Sequence, residues 1–163
     1  MARYKLVALD LDQTLWDHSD ISSTEPPFQR LERDAIIDSK GVLVRLREGA
    51  REALIKLKSR GLALAVVSWN VYSKAVEALK ELDILHFFDI TLVEPHPHKD
   101  LMFEELLKWG LDKGVRPVDV VFVDDNPDMV EKVKRAYPEV TVLRFGSDVK
   151  SFEQLLNLVL QDG

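Results

Sequence analysis

The most regular feature of the sequence is an alternation of short apolar runs with segments that have helical periodicity. Five runs are almost continuously apolar, at residues 5–9, 62–67, 90–93, 118–123 and 140–145. Because they do not alternate with polar residues, they are typical of parallel strands covered on both faces. Apolar residues recur with helical spacing at residues 48–60, 73–82, 101–109, 128–137 and 151–160. The alternation predicts an α/β, Rossmann-like three-layer sandwich, with a parallel sheet between two helix layers.

End signals mark two of the predicted helices. Gly61 follows the segment 48–60 and predicts its C-terminal end, because glycine adopts the left-handed conformation that closes many helices. Ser73 opens the segment 73–82 and is its candidate N-cap, since a serine side chain can accept a hydrogen bond from the first helical amides.

Residues 16–46 interrupt this alternation. They separate the first strand from the first predicted helix and include the polar, proline-rich stretch SSTEPP at residues 22–27. A hairpin is predicted around Lys40 and Gly41. The segment shows no stripe of core residues, so we expect a flap insertion at about residues 17–46 that is more mobile than the sheet. The length of 163 residues suits a single domain over residues 1–163.

Composition and charge narrow the classes of function. With 22 basic and 28 acidic side chains the net charge is −6, and no basic patch offsets it, which argues against nucleic-acid binding. The sequence has no cysteine, which excludes disulfides, thiolate catalysis and cysteine-ligated zinc. The longest apolar stretch, residues 62–67, is far shorter than the roughly 20 residues of a membrane span, and the start of the chain does not read as a secretory signal. We therefore expect a cytoplasmic protein with no nucleic-acid or membrane partner.

Acidic residues follow two of the predicted strands. Asp10 and Asp12, in the motif DLDQT at residues 10–14, project to the same side because side chains alternate along an extended backbone. Asp124 and Asp125 follow the fourth strand, and the carboxyl ends of parallel strands meet at one sheet edge. Carboxylates this close repel one another unless a cation neutralises them, and Mg²⁺ prefers oxygen ligands. These four acids are therefore a predicted magnesium site.

Polar side chains also follow the second and third predicted strands. Ser68 ends the second strand, Trp69 and Asn70 come next, and Lys99 lies after the third strand. A hydroxyl donor and an ammonium group beside carboxylates are what a transferring phosphoryl group requires. A lysine at the start of a helix is unfavourable for the helix dipole, which favours a role for Lys99 outside that helix. Four residues are expected near the mouth of the site, where they can bind substrate: Trp16, Phe28, Trp69 and Asn70.

In this order along the chain, the motifs resemble those of the haloacid dehalogenase-like phosphohydrolase superfamily. The resemblance rests on the DLDQT motif, Ser68, Lys99 and the acidic pair at 124–125. The longer string DLDQTLW at residues 10–16 is similar to the small magnesium-dependent phosphatases. The resemblance implies a five-stranded parallel sheet with the first strand in the centre, and a short flap in place of a large cap domain.

The resemblance also implies a mechanism. Asp10 would attack phosphorus and form an aspartyl-phosphate, and Asp12 would act first as general acid and then as general base. Asp12 would also ligate Mg²⁺ through its backbone carbonyl. The family pattern favours Asp125 as a direct metal ligand, with Asp124 reaching the metal through water.

The same resemblance implies how a substrate is held. Lys99 and Mg²⁺ would neutralise the phosphate charge, while Thr14 and Ser68 would position the loop and donate to the phosphoryl oxygens. Phosphotyrosine-like esters and phosphosugars are the implied small-molecule substrates, and an exposed site would also admit phosphoproteins. The sequence leaves the choice among them, and the oligomeric state, open.

Two other classes of function use similar residues. A receiver domain of a response regulator also combines paired acids, a hydroxyl, a lysine and Mg²⁺ on a parallel sheet, but its acceptor aspartate ends a middle strand, where this chain has Ser68. A metal-dependent nuclease would place two ions among the four acids, but Lys99 then has no clear task and the acidic surface repels nucleic acid. Multiple turnover on a phosphate ester separates these alternatives from a phosphatase.

Overall fold

The computed structural model describes residues 3–161, which form eight strands and five α-helices. The strands are β1 (Leu6–Leu9), β2 (Gln29–Glu32), β3 (Ala35–Ile37), β4 (Leu43–Arg45), β5 (Ala63–Trp69), β6 (Ile90–Glu94), β7 (Val120–Asp124) and β8 (Thr141–Arg144). The helices are α1 (Ala50–Ser59), α2 (Tyr72–Glu81), α3 (Lys99–Leu111), α4 (Pro127–Ala136) and α5 (Phe152–Leu160). The single domain predicted over residues 1–163 stays a prediction, and its residues 1, 2, 162 and 163 lie outside the described range.

Five of the strands form one parallel sheet in the order β6-β5-β1-β7-β8, so β1 is central. The predicted five-stranded sheet with its first strand in the centre is confirmed. Leu9 at the end of β1 aligns with Val66 of β5 on one side and Val123 of β7 on the other. The residues that follow these positions therefore emerge at one edge of the sheet, Asp10 and Asp124 among them.

Alternate residues of the strands face two separate apolar cores. Val7 and Leu9 of β1 pack in the larger core with α1, α2 and α5. Leu6 and Ala8 pack in the other core with α3 and α4. Because both faces of the sheet are covered, every residue of β1 is apolar and buried, which explains why its sequence does not alternate. The three-layer arrangement is confirmed.

The flap forms a second, antiparallel sheet in the order β2-β3-β4. Its β3–β4 hairpin turns at Lys40 and Gly41, as predicted, and Gly41 has the positive φ of 86° that glycine tolerates. The expectation that the flap lacks core residues is wrong. Ile21, Ile36 and Val44 are 0% exposed and join the larger core. The strands are only three or four residues long, so each contributes too few inward residues to show a stripe in the sequence.

A buried arginine anchors the flap to the helices. Arg51 of α1 is 6% exposed, and its Nε donates to Asp34 Oδ1 at 2.8 Å. Its Nη2 donates to the carbonyl of Arg33 at 2.7 Å and to that of Leu82 at 2.6 Å. The turn between β2 and β3 is thereby joined both to α1 and to the end of α2.

The helix ends differ in part from the predictions. Gly61 has a positive φ of 82° after α1, as expected of a helix stop. Ser73 is not an N-cap: α2 begins at Tyr72 after Val71, which makes no side-chain cap bond. Helix α3 begins at Lys99, two residues before the predicted start, so this lysine is its first residue. Within residues 3–161 no helix is both long and apolar enough to cross a membrane.

Candidate active site

The carboxyl ends of the central strands open into a cleft of about 540 Å³ between the sheet edge and the flap. The strands and the loops that follow them contribute Asp10, Asp12, Gln13, Trp69, Asn70, Val71, Pro95, Lys99, Asp124, Asp125, Asn126 and Met129. The flap contributes Ser19, Asp20 and Ser22. The structure thus brings the predicted motifs, which are far apart in the sequence, to one cavity.

Three carboxylates form a cluster on the floor of this cleft. One oxygen each from Asp10, Asp124 and Asp125 lies within 4.8 Å of the others. The hydroxyl of Thr14 is 3.3 Å from Asp10 Oδ2 and also 3.3 Å from Asp125 Oδ1, and it accepts from the Asp125 amide at 3.1 Å. Thr14 therefore connects the loop after β1 to the loop after β7. A set of three oxygen ligands at this spacing suits a hard divalent cation.

Lys99 is the only cation among the described residues that line the cleft. It is 2% exposed, and its Nζ donates to Asp10 Oδ1 at 2.8 Å and to Asp124 Oδ2. Burial would lower the pKa of Lys99, but the charges of Asp10 and Asp124 more than offset burial and raise it. Lys99 is therefore charged, and its position at the first turn of α3 is explained by these two carboxylates.

The positive charge of Lys99 does not balance the negative charges of the carboxylates around it. Burial, followed by the negative charge of Asp10, raises the pKa of Asp124 to about 8. Burial also raises the pKa of Asp125 to about 6, and Asp10 adds to that shift. The charge of Lys99 alone therefore does not offset burial and the charge of Asp10, and a second cation in the cluster would stabilise the ionised carboxylates. The cluster thus fits a divalent cation on charge as well as on geometry.

The carboxylate of Asp12 lies outside the cluster and faces the flap. Trp16 Nε1 donates to its Oδ1 at 2.8 Å and the amide of Ile21 donates to the same oxygen at 3.0 Å. Asn70 Nδ2 donates to its Oδ2 at 3.1 Å. Burial raises the pKa of Asp12 in spite of these donors, which favours the protonated form that a general acid needs. Of the four predicted metal-ligating acids, Asp12 is the one whose carboxylate points elsewhere, so only its backbone carbonyl remains as the predicted ligand.

The residues after β5 take up three different positions. Ser68 is 0% exposed, and its Oγ accepts from Asn70 Nδ2 at 2.7 Å. Asn70 is 4% exposed and lines the cleft, whereas Trp69 is 51% exposed at the rim. Ser68 thus lies beneath Asn70, and a bond from Ser68 to substrate stays a prediction. Trp16, expected at the mouth, is 0% exposed instead, and its ring forms part of the larger core.

Sequence reasoning missed the flap residues at the cleft. Ser22 Oγ donates to Asn70 Oδ1 at 2.8 Å and accepts from the Val71 amide at 2.9 Å. Asp20 caps the turn Ile21–Ser23 by accepting from the Ser22 amide at 3.0 Å. The pairing of Asp20 with a serine two residues later was the available signal, because that spacing is typical of a capped turn. Nothing in the sequence connects this turn to Asn70, which is 48 residues away.

Comparison with solved structures shows the class of fold. The N-terminal part of a Bacteroides fragilis protein, containing a phosphatase domain complexed with Mg, matches at a TM-score of 0.68 and 22% identity, over 98% of this chain and 41% of that chain. This chain thus spans about two fifths of the compared chain, which is itself the N-terminal part of a protein. A hydrolase of the haloacid dehalogenase superfamily from Geobacter sulfurreducens matches at a TM-score of 0.65 and 19% identity, over 95% of this chain and 99% of that one. The resemblance seen in the sequence is confirmed at the level of the fold.

Sequence comparison then gives the family. The model of the family described as Acid Phosphatase matches residues 3–158, and the chain belongs to that family. The human protein named magnesium-dependent phosphatase 1 is 28% identical over 156 residues, which cover 94% of this chain and 86% of the human protein.

Proposed function

We propose that this protein is a magnesium-dependent phosphatase that hydrolyses phosphate monoesters through a phosphorylated Asp10. The observation that carries the proposal is the position of Asp10, which lies on the cleft floor between the buried Lys99 and the acidic pair Asp124 and Asp125. Membership of the acid phosphatase family supports the reaction class, and the name of the human relative supports the metal.

Mg²⁺ fits the residues that are present. Asp10, Asp124 and Asp125 would hold it, together with the carbonyl of Asp12 implied by the resemblance. When bound, the ion would supply positive charge that lets a phosphate dianion approach four carboxylic acids. The raised pKa values of Asp124 and Asp125 support this expectation, because burial and the nearby charge of Asp10 both disfavour their ionised forms, which a bound cation would stabilise.

Asp10 would act as the nucleophile. Its carboxylate borders the cleft, with Lys99 at Oδ1 and Thr14 at Oδ2, so both of its oxygens are oriented. One oxygen would attack phosphorus as the ester P–O bond breaks, which leaves an aspartyl-phosphate. Lys99 would stabilise the phosphoryl charge that develops.

Asp12 would transfer protons to and from the reacting oxygens. In its protonated form it would give a proton to the departing alcohol oxygen. It would then take a proton from water, which attacks phosphorus, breaks the bond to Asp10 and releases inorganic phosphate. The bonds from Trp16, Ile21 and Asn70 hold its carboxyl group in one orientation through both steps.

Small phosphate esters and phosphoproteins are both proposed as substrates. The cleft is open between the exposed rim residue Trp69 and the flap residues Ser19 and Asp20, which leaves room for a leaving group. Trp69 offers an apolar surface for an aryl group, and the flap offers polar atoms for a sugar.

The experiment measures release of inorganic phosphate from 4-nitrophenyl phosphate with Mg²⁺ and after chelation. We expect multiple turnover with Mg²⁺ and loss of activity on chelation. Asp10→Asn should lower kcat by about 10³-fold or more, because the amide is a poor nucleophile. Asp128→Asn changes an exposed acid in the first turn of α4. It is the control, and its kcat should stay near the wild-type value.

Two results would contradict the proposal. A single burst of labelling on Asp10 without turnover would indicate a receiver domain. Cleavage of phosphodiesters in preference to monoesters would indicate a nuclease.

A further inference from the structure

We propose that Arg47, the second residue after β4 of the flap, is a positioning residue that holds Gln13 in a strained conformation and thereby orients Asp12. The inference rests on the proposed function, because Asp12 matters here as the general acid. Arg47 itself is not among the residues that line the cleft, so it acts through the loop and not on the substrate.

Gln13 occupies the strained position. It lies between Asp12 and Thr14 in the loop that carries the nucleophile, and its φ is +59°. Side chains with a Cβ disfavour this left-handed region, and within residues 3–161 Asp83 is the one other non-glycine residue with a positive φ. Such a conformation persists only where its surroundings impose it, and residues that adopt it are common at functional sites.

Hydrogen bonds fix the peptide groups on both sides of Gln13. On its N-terminal side, the Gln13 amide donates to the carbonyl of His18 at 3.1 Å. On its C-terminal side, Nη2 of Arg47 donates to the Gln13 carbonyl at 2.7 Å and to its side-chain Oε1 at 3.0 Å. The Arg47 amide also donates to the carbonyl of Leu15 at 3.0 Å. Arg47 thus bonds to the catalytic loop at two residues.

The guanidinium of Arg47 is itself held in place. Its central carbon lies 5.1 Å from the ring centroid of Phe145, a distance typical of a cation–π contact. Its Nε is buried without a hydrogen-bond partner. The side-chain donors of Arg47 that find partners are therefore directed at Gln13, while Nε stays unpaired.

The consequence concerns proton transfer to the leaving group. The peptide between Asp12 and Gln13 is planar, so the direction of the Gln13 amide fixes that of the Asp12 carbonyl, and a change of φ at Gln13 rotates both. Without Arg47 the loop can relax, and Asp12 is displaced from the leaving oxygen. Esters of weakly acidic alcohols need that proton, whereas 4-nitrophenol leaves readily without it.

The test compares kcat/KM for ethyl phosphate and 4-nitrophenyl phosphate at saturating Mg²⁺, so that any weaker metal binding caused by movement of the Asp12 carbonyl does not lower both values. Arg47→Met should lower the value about tenfold or more for ethyl phosphate and less than about threefold for 4-nitrophenyl phosphate. Arg47→Lys keeps N–H donors but has a shorter side chain and lacks the planar group that lies on the Phe145 ring, so it should recover only part of the loss. Arg45→Met is the matched control. Arg45 is an exposed flap arginine that pairs with Glu32 at 2.6 Å, and its replacement should leave kcat/KM unchanged for both substrates.

A second pair of variants leaves Arg47 and its stacking on Phe145 in place. Gln13→Ala removes the side-chain acceptor and keeps the strain, so it should show the same dependence on the leaving group to a smaller degree. Gln13→Gly removes the strain and should lie closer to wild type, within about threefold on ethyl phosphate. This pair answers the question even if Arg47→Met does not fold.

Asp12→Asn separates a failure of this inference from a failure of the proposed function. It should lower kcat/KM far more for ethyl phosphate than for 4-nitrophenyl phosphate, because kcat/KM includes proton transfer to the leaving alcohol but not the later hydrolysis step, which is common to both substrates. One outcome is that Asp12→Asn shows that difference while the Arg47 and Gln13 variants lower kcat/KM equally for both substrates. In that case the proposed function stands and the positioning role of Arg47 is overturned. If Asp12→Asn lowers kcat/KM equally for both substrates, Asp12 is not the general acid, and that part of the proposed function is overturned together with the positioning role of Arg47.

Discussion

The flap and the acidic site lie side by side, and they are stabilised in opposite ways. The flap places Ile21, Ile36 and Val44 in the larger core and is anchored by Arg51, whose donors find carbonyls and a carboxylate. The site places several acids around the single buried Lys99. The flap therefore gains stability from its contacts, whereas the carboxylates of the site repel one another until they bind protons or a cation.

Because of this difference, substitutions in the flap and substitutions in the acidic site should affect different properties of the protein. The flap contacts the site through a few polar bonds, from Ser22 to Asn70 and from the Ile21 amide to Asp12. Replacing the inner face of the flap should unfold the protein, and replacing the acids should stop the reaction without unfolding it. The predictions below test that separation.

The largest effect is expected at Lys99. Lys99→Ala removes the cation that contacts Asp10 and Asp124, so kcat/KM should fall by about 100-fold or more, which corresponds to about 3 kcal/mol of transition-state stabilisation. Steady-state kinetics at saturating Mg²⁺ measures it. Lys108→Ala, on the exposed side of the same helix, is the control and should keep full activity. A higher KM with unchanged kcat would make Lys99 a ground-state anchor instead.

The site was more predictable from the sequence than the flap, and the reason is physical. Asp10, Lys99 and Asp124 lie at or after the carboxyl ends of strands that are almost continuously apolar. Parallel strands bring these ends to one edge of the sheet, so the strand positions alone place the three residues together. Ile36 and Val44 belong to strands of three residues, where a pattern of period two has no length in which to appear. The burial of Arg51 depends on carbonyls of distant segments, which no local pattern reports.

The second effect concerns the stability of the flap. Ile36→Ala should lower the free energy of unfolding by about 2–4 kcal/mol, because it leaves a cavity between the flap and the larger core. Leu43→Ala changes the outer face, where Leu43 is 44% exposed, and should change the free energy by less than about 0.5 kcal/mol. Urea denaturation followed by tryptophan fluorescence measures both. Equal effects of the two substitutions would show that the flap does not belong to the core.

The third effect is the pH dependence of metal binding. Burial and the charge of Asp10 raise the pKa of Asp124 to about 8 and that of Asp125 to about 6, and Mg²⁺ binds only the ionised carboxylates. Binding must therefore release protons, and the affinity should rise with pH, by up to about tenfold per unit between pH 6 and 8. Calorimetry in buffers of different ionisation enthalpy measures the released protons.

The raised pKa values of Asp124 and Asp125 also determine how the stability of the fold changes with pH. An acid whose pKa is raised by folding holds its proton more tightly in the native state, so its contribution to stability decreases as pH rises above the unfolded value. Stabilisation by Mg²⁺, measured as the increase in Tm, should accordingly be larger at pH 8 than at pH 6. The loss of stability in Ile36→Ala should show no such dependence, since it involves no charge. A metal-induced increase in Tm that is constant over this range would contradict the assignment of Asp124 and Asp125 as ligands.

The smallest effect is expected at Ser22, where the flap and the site meet. Its hydroxyl donates to Asn70 Oδ1 and so turns the amide group of Asn70 towards Asp12 Oδ2 and Ser68 Oγ. Ser22→Ala removes this donor and frees the Val71 amide, at a cost of about 1 kcal/mol in stability. The activity on alkyl phosphates should fall only about two- to fivefold, because Trp16 and the Ile21 amide still hold the carboxyl group of Asp12.

Ser39→Ala supplies the comparison for this last prediction. The Ser39 hydroxyl donates to the carbonyl of Glu25 at 2.7 Å, a bond of the same kind that stays within the flap. Its loss should cost a similar or smaller amount of stability and leave kcat/KM unchanged. If the two serine variants lose activity in proportion to their loss of stability, the flap acts on catalysis only through folding. If Ser22→Ala alone lowers the activity, the hydrogen bond to Asn70 is the route by which the flap adjusts the general acid.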